Sequence, residues 1–349
     1  MKSPRQHSGR SSVPGRTSPS GGSTVRLTTR AMGCDFSVIM NPGPSTQIDP
    51  AGEALERIHE IEGWLSIYRP GSEISLVNRN AFSQATAVPH RLLELLRLAV
   101  RLQEVTSGAF DIAAGAASRL WRTCRSENRI PRPEEIEQIL AQTGTRHLRL
   151  DDVAGTVRLD VEGVELDPGA IGKGYALDEA CAWLSRPGTG LSQFLLHGGH
   201  SSLLARGSHN GLPGWPVGLG NPLFTNQRLA TILLCDQAMS TSGSNIQFFR
   251  HEGRRYGHIL DPRTGCSVEG MLSVTVLAES AAVADALSTA CYVLGVERAR
   301  DVCRNLPGTG GILIPQPEHG RRVRPVVLGV PEEQIFWDPA QVVPEGDSS

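Results

Sequence analysis

From Phe194 to Val276 the chain passes through six short apolar stretches: 194–196, 202–205, 215–219, 229–234, 256–260 and 272–277. Most of the segments between them are rich in Gly, Pro, Asn and Ser, the residues of turns and loops. A doubly wound parallel sheet needs a helical crossover between successive strands, so this run favours a largely antiparallel sheet over it. The pattern predicts an α+β fold, mostly antiparallel sheets with flanking helices. Further strands are expected around Met32–Ile39 and at 147–151, 156–159, 162–166, 310–314 and 324–328. Helical spacing recurs at 51–67 (Ala54, Leu55, Ile58, Ile61, Leu65), 89–104, 133–142 and 171–184. A long helix follows from about Ala281 to Arg304, with Ser280 as its N-cap.

At 349 residues and 39% hydrophobic content the chain can bury a large core. The folded body is expected over 25–330. Residues 1–24, rich in Ser, Gly, Pro and Arg, read as a disordered basic tail, and 331–349 as a loose C-terminal extension. A net charge of −2 and an aromatic content of 5% argue against a nucleic-acid partner. No run approaches the about 18 apolar residues of a membrane span. No apolar segment follows the N-terminal charges, so no secretory signal is expected. Seven scattered cysteines without a Cys-x-x-Cys pair read as reduced thiols. Cytoplasmic location is the resulting expectation.

Three constellations carry chemistry. Asp167-Pro-Gly-Ala-Ile-Gly-Lys173-Gly-Tyr175 is a strand-to-helix turn with three glycines and a lysine. Such a helix start binds anions through its exposed N–H groups. It fails the spacing of a nucleotide-triphosphate loop, and an ordinary Gly-rich helix start fits equally well. Asp285 and Thr289, four residues apart on the last long helix, share one face and could meet at one hard cation. On spacing alone the commoner reading is an acid favoured by the helix dipole and a buried threonine. His258 precedes the turn Asp261-Pro-Arg-Thr-Gly265 and titrates near neutrality, as a general base must, although a lone histidine beside a strand is more often structural. His197 and His200 flank a Gly-Gly turn with no third ligand, which argues against a metal pair there. Tyr68 and the segment Gly108-Ala-Phe-Asp111 are weak signals individually.

Taken in order, these segments resemble the ApbE family of FAD:protein FMN transferases. The matching pieces are Met32-Gly33, Leu65-Ser-x-Tyr68, Ser72-Glu-Ile-Ser…Asn78, Gly108-Ala-Phe-Asp111, Asp167 to Tyr175, Gly198-Gly199, Thr241-Ser-Gly243, His258 to Gly265, and Asp285-Ala-Leu-Ser-Thr289. The resemblance implies an ApbE-like, T-fold-related architecture. It also implies magnesium-dependent transfer of FMN from FAD, the substrate, to a Thr or Ser hydroxyl of an acceptor protein, with release of AMP. Met32, Tyr68, Ala109, Phe110, Asp111, Asp167, Lys173 and Ile259 would then line the FAD site. Asp285 and Thr289, with the main-chain oxygen of Ala170 and the Ser288 hydroxyl, would hold Mg2+, and His258 would deprotonate the acceptor. Two departures stand out: His200 follows Gly198-Gly199 where the family usually has Asp, and Cys34 replaces a usual Thr. The first keeps open a non-catalytic FAD-binding protein, and a second alternative is an FAD pyrophosphatase giving FMN and AMP with water as acceptor.

Overall fold

The computed structural model of the protein describes residues 23–243, 248–317, 320 and 322–342. The expected tail over 1–24 lies outside the described residues except for 23–24, as does the end of the extension from 343 on. The chain opens with a hairpin of β1 (Val25–Ala31) and β2 (Cys34–Met40). There follow α1 (Ile48–Leu65), α2 (Glu73–Asn80), β3 (Thr86–Ala87), α3 (His90–Val105), α4 (Gly115–Ser126), α5 (Pro133–Ala141), β4 (Leu148–Asp151), β5 (Thr156–Leu159) and α6 (Gly172–Leu184). A strand-rich half comes next: β6 (Phe194–Gly198), β7 (Ser202–Arg206), β8 (Trp215–Gly220), β9 (Arg228–Leu234), β10 (Ala238–Gly243), β11 (Phe248–His251), β12 (Arg254–Gly257), β13 (Leu260–Asp261), β14 (Cys266–Ser267) and β15 (Met271–Ala278). The end is α7 (Ala281–Asn305), β16 (Gly310–Pro315), β17 (Val326–Leu328) and β18 (Ile335–Trp337).

Eight strands form one sheet in the order β1-β2-β6-β7-β10-β15-β16-β17, with every pairing antiparallel. The fold is α+β, as the strand run requires. Alternation along each strand sends side chains to opposite faces. Phe36, Val38, Leu196, Leu204 and Val276 face a core shared with α1, α6 and α7. Leu195, Leu203, Met239, Leu277 and Ile312 face a second core, closed by Trp215, Leu219 and Ile232 of the small sheet β18-β9-β8. Covered on both faces, β15 is buried along its whole length and reads as a nearly unbroken apolar run. The small sheet β3-β5-β4 and helices α2 and α3 add Ile74, Leu92, Leu96 and Val157 to the helix-side core.

The structure departs from the sequence pattern in several places, each with a local cause. Residues 162–166 form no strand. The Asn78 side chain substitutes for a neighbouring strand there, donating to the Leu166 carbonyl at 3.0 Å and accepting its N–H at 2.8 Å. The last long helix is two segments joined at Gly295, where φ is 72°; only glycine adopts that conformation without steric penalty. Its start is as expected, with the Ser280 hydroxyl accepting from the Val283 N–H. The extension after 330 is not loose over 335–337, because β18 pairs with β9 and buries Ile335 in the second core. Helices α2 and α4 and strand β10 are absent from the sequence reading. Their apolar residues are few, and polar or small residues carry much of each element.

Candidate active site

Asp285, on α7, is 4% exposed and its carboxylate accepts four hydrogen bonds. One oxygen accepts from the hydroxyls of Ser202 (3.3 Å) on β7 and Ser240 (2.9 Å) on β10. The other accepts from the Gly174 N–H (3.1 Å) and Lys173 Nζ (3.4 Å) at the start of α6. In an uninterrupted helix the Gly174 N–H would go to the carbonyl four residues back, that of Ala170. Here it is given to Asp285. Beside the carboxylate, Ser242 Oγ lies 2.8 Å from Ser288 Oγ and 3.0 Å from Thr289 Oγ1.

Two packing features bring α6 against α7 closely enough for this. A Cβ on Gly174 would fall 2.1 Å from the Ala281 carbonyl oxygen, so no other residue lets the helices approach this far. The Asp178 carboxylate, one turn further along α6, accepts from the Ser280 hydroxyl and from the Ala281 and Ala282 N–H groups at 2.7–2.9 Å. It thereby satisfies the open donors of the α7 N-terminus. Burial pushes the Asp178 carboxyl up, while these donors pull it down.

The other expected site residues are each fixed by local ties. Met32 occupies the left-handed region (φ 49°) in the β1–β2 turn and donates its N–H to Glu62 Oε1 at 2.8 Å. The neighbouring Cys34 meets the Gly-Gly turn, since a Cβ on Gly199 would lie 2.9 Å from its Sγ. Burial raises the Cys34 thiol, and the nearby Lys173 charge opposes this. Tyr68 is 77% exposed, with the Arg122 guanidinium 5.8 Å from its ring. Arg122 also reaches Asp167 at 3.6 Å, and Asp167 accepts from the Gly169 N–H at 3.0 Å. The Asp167 N–H donates to the Ile112 carbonyl at 2.7 Å, which joins the 108–111 and 167–175 segments.

Ala109 and Phe110 are buried in the core at 1% and 2% exposure, and their N–H groups donate to the Thr106 carbonyl (3.1 Å) and hydroxyl (3.2 Å). Asp111 caps the neighbouring turn, accepting from the N–H groups of Ala113 (2.9 Å) and Thr145 (3.0 Å). Burial drives its carboxyl up against those donors. Ile259 is likewise a core residue. His258 is exposed between β12 and β13, and its neighbours are fixed by main-chain bonds. Ser267 Oγ donates to the Gly257 carbonyl at 2.9 Å, and the Val268 N–H donates to the Ile259 carbonyl at 3.0 Å. The following turn is closed by Gly265 N–H to the Asp261 carbonyl at 2.8 Å and by the Arg263–Asp261 ion pair at 2.8 Å.

Sequence reasoning missed Ser202, Ser240, Arg122 and Asp178. The first two are brought together by the β7–β10 register, Ser240 opposite Ser202, and nothing local marks that pairing. Ser242 lay inside a recognised motif but without a role.

Among the described residues no three His, Cys, Asp or Glu side chains converge as metal ligands. A cation here would rest on one carboxylate plus hydroxyl and carbonyl oxygens. That is a hard, all-oxygen donor set, and it suits magnesium rather than a soft metal. Among the described residues no helix is long and apolar enough to cross a membrane.

Comparison with known proteins falls on the same segments. The ApbE family model matches residues 32–313. A Treponema pallidum protein named FAD:protein FMN transferase is 32% identical over 284 residues, covering 78% of this chain and 78% of its own length. The protein of that name from Vibrio cholerae is 30% identical over 285 residues, covering 80% and 84%. The crystal structure of the ApbE protein from Thermotoga maritima gives a TM-score of 0.76 at 31% identity, over 84% of this chain and 94% of that one. The flavin transferase ApbE from Vibrio cholerae gives 0.76 at 27% identity, over 88% and 97%. The matched span takes in Met32, Asp285, His258 and the segments between them, and this chain therefore belongs to the ApbE family.

Proposed function

We propose that this chain, a flavin transferase, cleaves FAD and transfers its FMN half to a Thr or Ser hydroxyl of an acceptor protein, releasing AMP. The observation that carries the reading is the buried Asp285 carboxylate, held by four donors beside the hydroxyls of Ser242, Ser288 and Thr289. A carboxylate desolvated to this degree, next to a lysine and a row of hydroxyls, is a prepared place for a cation and a phosphate. Asp285, Thr289, Ser288 and the Ala170 carbonyl would hold magnesium, which when bound neutralises charge on the pyrophosphate oxygens.

The chain's own residues supply the rest. Lys173 sits 3.4 Å from Asp285 and adds positive charge where the phosphates would lie. The main chain at Ala109 and Phe110, with Met32, Asp111, Asp167 and Ile259, would shape the flavin site, and Tyr68 offers an exposed ring for stacking. His258, exposed at the surface, would take the proton of the acceptor hydroxyl. The hydroxyl oxygen then forms a bond to the phosphorus of the FMN half as the bond to the AMP phosphate breaks. Such transfers depend on positioning and charge neutralisation more than on covalent help from the protein.

The departure at position 200 motivates the non-catalytic alternative. His200 is exposed in the turn after β6, and the four donors to Asp285 all come from elsewhere, so the substitution leaves that carboxylate's surroundings complete. The test is incubation with FAD, Mg2+ and a Thr- or Ser-containing acceptor peptide, followed by mass spectrometry. Transfer gives a covalent FMN adduct and AMP. Bound FAD with no adduct selects the non-catalytic reading, and AMP with free FMN selects a pyrophosphatase.

A further inference from the structure

The loop that carries His258 is anchored on both sides by one side chain, Trp121, which lies on a helix outside every recognised motif. Trp121 is on α4 and 9% exposed. Its indole Nε1–H donates to the Gly265 carbonyl at 2.7 Å, seven residues after His258. Its ring packs against Tyr256, two residues before His258, with centroids 5.9 Å apart, and against Phe249 at 6.3 Å. Phe249 and Tyr256 are directly paired across the β11–β12 hairpin and stack at 5.5 Å.

Other contacts add to the same docking. His251, at the hairpin tip, is 3.0 Å from the Asn128 carbonyl just beyond α4. A Cβ on Gly265 would lie 3.1 Å from Ile139 Cδ1 of α5, so the 261–265 turn sits directly on that helix. Thus α4 and α5 form a platform on which the loop before and after His258 is seated. The imidazole itself stays at the surface. An indole suits this role because it combines a large flat apolar face with one directed donor, and each uses a different side of the loop.

We propose that Trp121 is a positioning residue: it holds the β12–β13 loop so that His258 meets the acceptor hydroxyl. This rests on the reading of His258 as the general base. The group to be deprotonated arrives on another protein and cannot be pre-seated by this chain's core. The base therefore has to be held by its own loop, and displacement by even one ångström reduces transfer steeply.

The test is a double-mutant cycle on the full chain with FAD, Mg2+ and acceptor peptide. It compares Trp121→Phe, His258→Ala and the pair, measuring kcat for transfer and, separately, the FAD dissociation constant by flavin fluorescence. Trp121→Phe keeps an aromatic ring and loses the bond to Gly265, so the fold survives. Trp121→Phe is expected to lower kcat roughly ten-fold, with FAD affinity changed less than about two-fold, and to add nothing in the His258→Ala background. A wild-type kcat in Trp121→Phe, or losses that multiply in the pair, overturns the platform while leaving His258 as the base. Wild-type transfer by His258→Ala alone overturns the base reading and this proposal with it.

Discussion

Asp285 and His258, the two residues given chemical roles in the proposed function, are held in opposite ways. Asp285 is enclosed by α6, β7 and β10, and each carboxylate oxygen accepts from two donors. His258 is exposed, and the main chain on either side of it is fixed: Gly257 by Ser267, Ile259 by Val268. On the proposed function, the difference follows from what each must meet. A phosphate and its cation are small and can enter a pre-formed, desolvated pocket, where charge is neutralised most strongly. An acceptor hydroxyl comes attached to a folded protein, so its base must project from the surface. One region therefore trades on burial and the other on access.

The sharpest way to break this contrast is Asp285→Ala. It should abolish Mg2+-dependent transfer and also destabilise the fold by roughly 2–5 kcal/mol, because three buried donors and the part-buried Lys173 lose their acceptor. Unchanged turnover together with an unchanged denaturation midpoint would remove Asp285 from both roles. His258→Ala should lower kcat by roughly 10²–10⁴-fold while leaving FAD affinity and thermal stability as they are. Equal losses of affinity and rate would make the histidine a binding residue instead.

Gly174→Ala probes the packing of the buried region while keeping every hydrogen-bonding group in the chain. The added methyl would meet the Ala281 carbonyl at 2.1 Å, and a loss of roughly 3 kcal/mol in urea unfolding is expected. A neutral result would mean that α6 and α7 can separate at no cost.

The smallest effect concerns His197, at the end of β6 before the Gly198-Gly199 turn. Burial pushes its pKa below 6.5, with Arg26 and then His200 adding to the shift. A depressed histidine contributes stability that is present above about pH 6.5 and lost as pH falls through the folded-state value. Thermal stability should therefore fall on acidification from pH 7, and His197→Gln should flatten part of that slope. His147 is shifted the same way by burial and retains the remainder. A slope unchanged in His197→Gln would show that the ring is not the titrating group.

Much of the fold could be read in advance where neighbours along the chain carry the signal. The helix at Ala281 declares itself through Ser280 and its apolar run, and β15 through its continuous hydrophobic residues. Within that helix, Asp285 and Thr289 face the same way because of helical spacing alone. Where the signal is borne by a distant partner, the reading failed. The stretch 162–166 resembles a strand but pairs with an asparagine side chain from α2. Ile335 looks like part of a loose end until β9 is alongside it. The Arg122 contacts to Tyr68 and Asp167 are equally invisible, since no spacing rule links the three positions.

Taken by itself, the sequence determined which segments could be strands or helices, where the last helix begins, and which residue types are available for chemistry at Asp285, Lys173 and His258. Those properties arise from backbone conformation and side-chain periodicity over a few residues. Only the tertiary structure decided that Ser202 and Ser240 would share one oxygen of Asp285, that Gly174 would give it an N–H, and that Trp121 would seat the loop around His258. Those contacts depend on strand register and helix approach between remote parts of the chain, which close packing selects among many arrangements that local preferences leave equally allowed.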